Sequence, residues 1–414
     1  MIRRLVSSIK NLLASPTGRR FALFSASKAV AALLQIVAFG ALARLLGVAD
    51  FGLFSIAYSV TVVAMSFFEF GLGNRALRLP SDSEPHRTIG TILTTRTATN
   101  ALVIVLFTTL WPLFTQMSVV SSLCIVIFIT GDLFANLLQS ILIGIWKERL
   151  SVVLLLARRV FNAAGLALLL LLDEKTVEPI AYGVLGITGL LGYVLGAGLV
   201  VRSAGRPHNP FHFIRTNLHF MTTSLASNIQ QADSLVVGSL GGPYFAGLFG
   251  SASRLSAPLN LVTGSIMQSI VPSLAAIDSL PRRAATMKRV MRAATALGVV
   301  IVILAVTAPV VVLVLYGQAF ADAWPIAAAV IVLAGINAIN QPIFAWYYAG
   351  TIPRILPVVI ASTSLTNLSV LALLAGTGNP FALSAGMVLV GLAGHIWLRL
   401  KFTADLRRAS EDGQ

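Results

Sequence analysis

The chain has 414 residues, 57% of them hydrophobic and only 11% charged, with 30 Lys+Arg against 15 Asp+Glu and a formal net charge of +15. Soluble domains carry about 25% charged residues, so this composition, with a mean hydropathy of +0.86, excludes an ordinary soluble enzyme and predicts an all-α integral membrane protein. The basic excess is spread over short gaps rather than gathered in one patch, which argues against nucleic acid and for topology and contact with an anionic lipid bilayer.

Residues 1–20 place Ile2, Leu5, Val6, Ile9, Leu12 and Leu13 at helical spacing among Arg3, Arg4 and Lys10, which suits a basic amphipathic helix on the cytoplasmic surface. Lys28 interrupts the first apolar run and more runs follow, so an uncleaved first helix is expected rather than a signal peptide. A spanning helix needs roughly 20 apolar residues. Twelve such spans are predicted, at 21–46, 51–74, 90–114, 119–145, 151–172, 179–201, 217–240, 244–274, 290–315, 323–348, 353–375 and 380–400. The runs are continuous rather than alternating, which excludes a β-barrel. Cys124 is the one cysteine and lies inside a run, so no disulfide framework or thiolate metal site is expected.

Basic residues mark alternate gaps. The N-terminus (Arg3, Arg4, Lys10, Arg19, Arg20), the second gap and its flanks (Arg75, Arg78, Arg87, Arg96), and the gaps holding Lys147 and Arg149, then Arg202, Arg206 and Arg215, then Arg282 to Arg292, then Arg354, all fall on one side with the C-terminus. The other gaps hold only Lys175. Both termini are therefore expected in the cytoplasm. A polar linker, 202–216, with Pro207 and Pro210, divides a lobe at 21–201 from one at 217–400, with a tail at 401–414. Leu46-Gly47 followed by Gly52-Leu53-Phe54 matches Leu240-Gly241 followed by Gly247-Leu248-Phe249 with one extra residue. The match implies two six-helix halves of the same orientation.

Polar residues inside the spans fall on coherent faces: Asp132, Asn136 and Gln139 on the fourth, Asn228 and Gln231 on the seventh, Asn337, Asn340 and Gln341 on the tenth, Lys28 and Gln35 on the first. Interhelical hydrogen bonding and the lining of a polar path are both open to them. Arg254 lies about eleven residues down the eighth span, roughly 16 Å at 1.5 Å per residue. Arg158 and Arg159 are adjacent on the fifth span and point about 100° apart, so one faces a cavity and the other snorkels. Arg44 is near an outer end, as a snorkelling or gate residue. Asp132, Asp233 and Glu69 either neutralise an arginine or carry a coupling proton or sodium ion. His208 and His212 are separated by Pro210 and form no metal site, and no phosphate-cradling glycine loop follows a strand.

At the hairpins the chain resembles a family. Ala43-Arg44-Leu45-Leu46-Gly47 with Asp50-Phe51-Gly52, the stretch from Asp233 through Gly247-Leu248-Phe249-Gly250-Ser251 to Arg254-Leu255, and Tyr316-Gly317 with Phe320 and Ala323 are similar to motifs of oligosaccharide flippases. These belong to the multidrug/oligosaccharidyl-lipid/polysaccharide superfamily. The resemblance implies two lobes around a central cavity and alternating-access transport of undecaprenyl-pyrophosphate-linked glycans across the bacterial cytoplasmic membrane. It implies a monomer without cofactor, with glycosyltransferases and a polysaccharide polymerase as neighbours. Under it, Arg254 and Lys28 lead the pyrophosphate contacts, followed by Arg158, Arg159 and Arg44, because guanidinium binds phosphate oxygens in pairs. A small-solute or multidrug antiporter is the alternative. A membrane polymerase or ligase ranks lower, since every outer gap is short and Asp173, Glu174 and Glu178 are the one acidic cluster there.

Overall fold

The computed structural model describes residues 16–411, apart from 71, 78, 80–82, 116, 172–176, 208–228, 257, 260–273, 275–278 and 350–354. Among the described residues every regular element is helical. They are α1 Pro16–Phe67, α2 Leu72–Leu77, α3 Pro85–Phe114, α4 Val119–Gly144, α5 Glu148–Leu169, α6 Val177–Val200, α7 Asp233–Arg254, α8 Leu280–Leu304, α9 Ala308–Tyr316, α10 Trp324–Ala349, α11 Ile355–Ala375 and α12 Pro380–Glu411. Nine helical segments among these residues are long and apolar enough to cross a membrane. That number is compatible with the twelve expected spans: α1 holds two of them, Asp233–Arg254 takes in parts of both 217–240 and 244–274, and of 353–375 only the shorter apolar helix Ala361–Ala375 is counted apart from the nine. The apolar face of α3, with Leu102, Val105, Leu106, Leu110 and Leu113 exposed at helical spacing, is the surface a lipid tail would cover.

Gly47 (φ 74°, ψ 178°) breaks α1 into arms 16–46 and 48–67. Gly242 (φ 80°, ψ 174°) breaks α7 in the same way. That backbone region is essentially closed to residues with a Cβ, so each glycine turns a helical run into a hairpin. The equivalence corrects the sequence match: Gly242, not Gly241, corresponds to Gly47, and the repeat then needs no extra residue. Gly52 and Gly247 each follow their turn by five positions. A Cβ on Gly52 would strike the Pro243 carbonyl, and one on Gly247 would strike that of Val48. Each hairpin thus receives the first residue of the other, a reciprocal contact of two-fold character.

The chain forms two compact units, one of Met1–Leu45 and Ala57–Gln231, the other of Leu46–Ile56 and Ala232–Gln414. In the first, α4 and α6 approach until their backbones touch: a Cβ on Gly131 would collide with the Gly189 backbone, and one on Gly189 with Ile127 and Phe128. Small residues permit this closeness where lipid offers no hydrophobic drive for helix association. An apolar cluster of Leu72, Ile89, Phe134, Leu138, Ile141 and Leu154 packs the end of this unit where α3 begins. Of the expected linker, 208–216 lies outside the described residues. Its start is tied down: the Gly205 amide donates to the His86 carbonyl at 2.7 Å, and His86 Nδ1 lies 2.8 Å from the Ser203 carbonyl oxygen. In the second unit, Tyr347 donates to Asp405 at 2.9 Å and Arg283 stands 5.1 Å over the Trp346 ring, joining α8, α10 and α12 at one end.

Gly47→Ala and Gly242→Ala should each destabilise by about 1–3 kcal/mol. Gly183→Ala, where an added Cβ meets nothing within 4 Å, should be neutral. Thermal unfolding of the purified protein in detergent checks the contrast.

Candidate functional site

The fourth and fifth helices bring charge to the middle of the first unit. Asp132 Oδ1 lies 2.8 Å from Arg158 Nη1 and 3.0 Å from Arg159 Nη2. All three side chains are buried, Arg158 at 1% exposure. Adjacent residues on α5 reach one carboxylate because it sits between their directions, so neither arginine snorkels. Arg158 Nη1 also reaches the Gly131 carbonyl at 3.4 Å, and Asn136 donates to Asp132 Oδ2 at 3.5 Å. Gly192 of α6 lies against this contact: an added Cβ would press the Gly131 carbonyl oxygen at 2.8 Å. Asn162 and Thr188 continue the polar seam, their side chains 3.5 Å apart. Two guanidinium groups against one carboxylate leave the triad with a net positive charge.

Beside it lies a cavity of about 290 Å³, lined by Tyr58, Ser66, Glu69, Arg96, Asn136, Ser140 and Gln231 among others. Ser59 Oγ donates to the Gln231 carbonyl at its edge. Arg96 is 4% exposed and stands about three turns into α3. The sequence reading placed it on a loop flank. Pro85 at the first position of α3 starts the helix five residues before the expected span, and Arg96 lies on its buried face. No ion pair joins Arg96 to a described residue, although Glu69 attracts it electrostatically from the same cavity wall. Asn100, one turn further on, is buried as well. The pattern Thr95, Arg96, Asn100 on a helix starting at Pro85 was the available signal.

The remaining expected residues are dispersed. Gln139 is buried on α4, and Lys28 and Gln35 are half-buried on α1, with Arg44 exposed near its turn. Glu69 is half-buried after the second arm of α1. In the second unit Arg254 ends α7, half-buried and within electrostatic reach of the buried Tyr316. Asp233 opens α7, half-buried, with Oδ1 lacking a hydrogen bond. Asn340 bonds to His395 across α10 and α12 at 2.6 Å, a helix-to-helix contact that the sequence reading did not foresee. Asn337 is exposed and Gln341 half-buried. Asn228 lies outside the described residues.

Among the described residues this is an all-helical scaffold of apolar helices with charge buried between them. The sequence profile of the polysaccharide biosynthesis protein family matches residues 18–278, and the chain belongs to that family. No curated protein matches the sequence. Among solved structures, a lipid II flippase MurJ in an inward closed conformation superposes with a TM-score of 0.70 at 13% identity, covering 95% of this chain and 90% of the other. An inward-facing multidrug resistance MATE family transporter of the MOP superfamily gives 0.60 at 13%, covering 93% and 94%. A MATE P26A mutant gives 0.62 at 12%, covering 96% and 98%. The fold is thus the one shared by these transporters.

Removing the central carboxylate of a buried triad strands two cations. Asp132→Asn should cost about 3–5 kcal/mol, read as a lower unfolding temperature, with partial recovery in the double variant Asp132→Asn, Arg159→Gln.

Proposed function

We propose that the protein translocates a polyprenyl-pyrophosphate-linked oligosaccharide across the bacterial cytoplasmic membrane by alternating access, for surface polysaccharide biosynthesis. Family membership supports a role in polysaccharide biosynthesis, and one observation supports an anionic cargo: among the described residues the buried charge of the first unit is net basic, Arg96, Arg158 and Arg159 against Asp132, with Glu69 half-buried on the cavity wall. Ionisable groups at bilayer depth cost several kcal/mol. A cationic interior lowers that cost for a pyrophosphate and raises it for a cationic solute. With both termini in the cytoplasm, as the basic gaps suggest, the cavity beside Arg96 lies in the cytoplasmic half, where such a cargo is made.

Alternating access needs an energy source, and proton or sodium coupling remains part of the proposal. Asp132, held by two arginines, is a poor carrier for an exchangeable ion. Glu69 and Asp233 are better placed. A drug or small-solute antiporter is the second reading, favoured by the likeness to MATE structures. Arg254 is expected on the cargo path in the second unit.

Proteoliposomes loaded with a fluorescent undecaprenyl-pyrophosphate oligosaccharide should show inside-to-outside movement with wild type. Arg254→Ala should slow it by about tenfold or more, as for loss of one charge-assisted phosphate contact. Movement of a cationic dye with none of the lipid-linked glycan would favour the antiporter.

A further inference from the structure

Arg158 and Arg159 share the Asp132 carboxylate, whereas no ion pair joins Arg96 to a described residue. It is an arginine at 4% exposure in a helix whose outer half is apolar, and its Nε has no hydrogen-bond partner. A buried guanidinium with five donors and no carboxylate in contact is a standing demand for an oxyanion. The wall around it answers with neutral polar groups, Tyr58, Asn136 and Gln231, and with one carboxylate, Glu69.

The size is informative. A cavity of about 290 Å³ falls just under the ~300–1,000 Å³ that encloses drug-sized ligands. It has room for a phosphate headgroup.

We infer that Arg96 and the cavity of the first unit form a phosphate oxyanion subsite, with Glu69 as the internal anion that attracts the arginine when no phosphate is bound. The inference rests on the cargo being a pyrophosphate lipid, and places part of that pyrophosphate at Arg96. The same chemistry could come from a bulk anionic phospholipid. Glu69 faces any incoming phosphate with like charge, so it weakens binding and speeds release. Neutralising it tightens the site, an effect of opposite sign to the loss of Arg96.

The test measures binding of a fluorescent undecaprenyl pyrophosphate to the full-length protein in phosphatidylcholine nanodiscs, with and without phosphatidylglycerol as competitor. Expected is a Kd about tenfold or more weaker in Arg96→Gln, as for loss of a buried charge partner. Arg96→Lys should restore part of it, and Glu69→Gln should bind tighter than wild type. Arg96 has no ion pair to lose, so Arg96→Gln should unfold at the wild-type temperature. Should it fail to fold, Ser140→Asp on the half-buried cavity wall supplies the second arm, with weaker binding expected. Competition by phosphatidylglycerol at equal concentration, lost in Arg96→Gln, keeps the subsite and assigns it to membrane lipid. Equal Kd values in wild type, Arg96→Gln and Glu69→Gln overturn the subsite, and translocation by wild type would then leave the proposed function standing. Absence of binding by folded wild type overturns both.

Discussion

The contact between Asp132 and the two arginines of α5 is the interaction on which the first unit depends. A bilayer interior offers no water to a charge, so an ionised side chain there must find a partner or reach the interface. Here one carboxylate holds two guanidinium groups, at 2.8 and 3.0 Å. The geometry requires α4, α5 and α6 to lie unusually close. Gly131, Gly189 and Gly192 make the approach of α4 and α6 possible, since a Cβ on any of them would strike the facing backbone. Helix packing and charge burial are one design: glycines bring the helices together, and the triad gives the close approach a partner-specific register.

The hairpins follow from a second constraint. A chain that crosses and returns within a few residues must break its helix without exposing backbone groups to lipid. Gly47 and Gly242 do so in the same conformation, at equivalent positions of a repeat. The mutual fit of Gly52 against Pro243 and Gly247 against Val48 keeps the two turns in contact. The repeat is therefore visible in local backbone geometry as well as in sequence.

Much of the fold was legible beforehand because hydropathy and charge bias are local signals. Helical class, most span positions and the identity of Asp132, Arg158 and Arg159 as intramembrane charges all came from residue type and spacing. Their partnership did not, since 27 residues separate Arg159 from Asp132 and no local pattern encodes which face of α5 meets α4. Arg96 was misread for a different reason. It lies inside the expected span 90–114, but its charge grouped it with the basic flank of the second gap rather than with the intramembrane residues. His395 escaped attention because a lone histidine on an apolar face carries no signal until Asn340 is seen 2.6 Å away.

On the proposed function, a net basic interior selects an anionic lipid-linked cargo. The most direct test compares, in the same proteoliposomes, translocation of one oligosaccharide carried on polyprenyl pyrophosphate and on an uncharged polyprenol. The pyrophosphate form should move and the neutral one should move little. Equal rates for the two would contradict it.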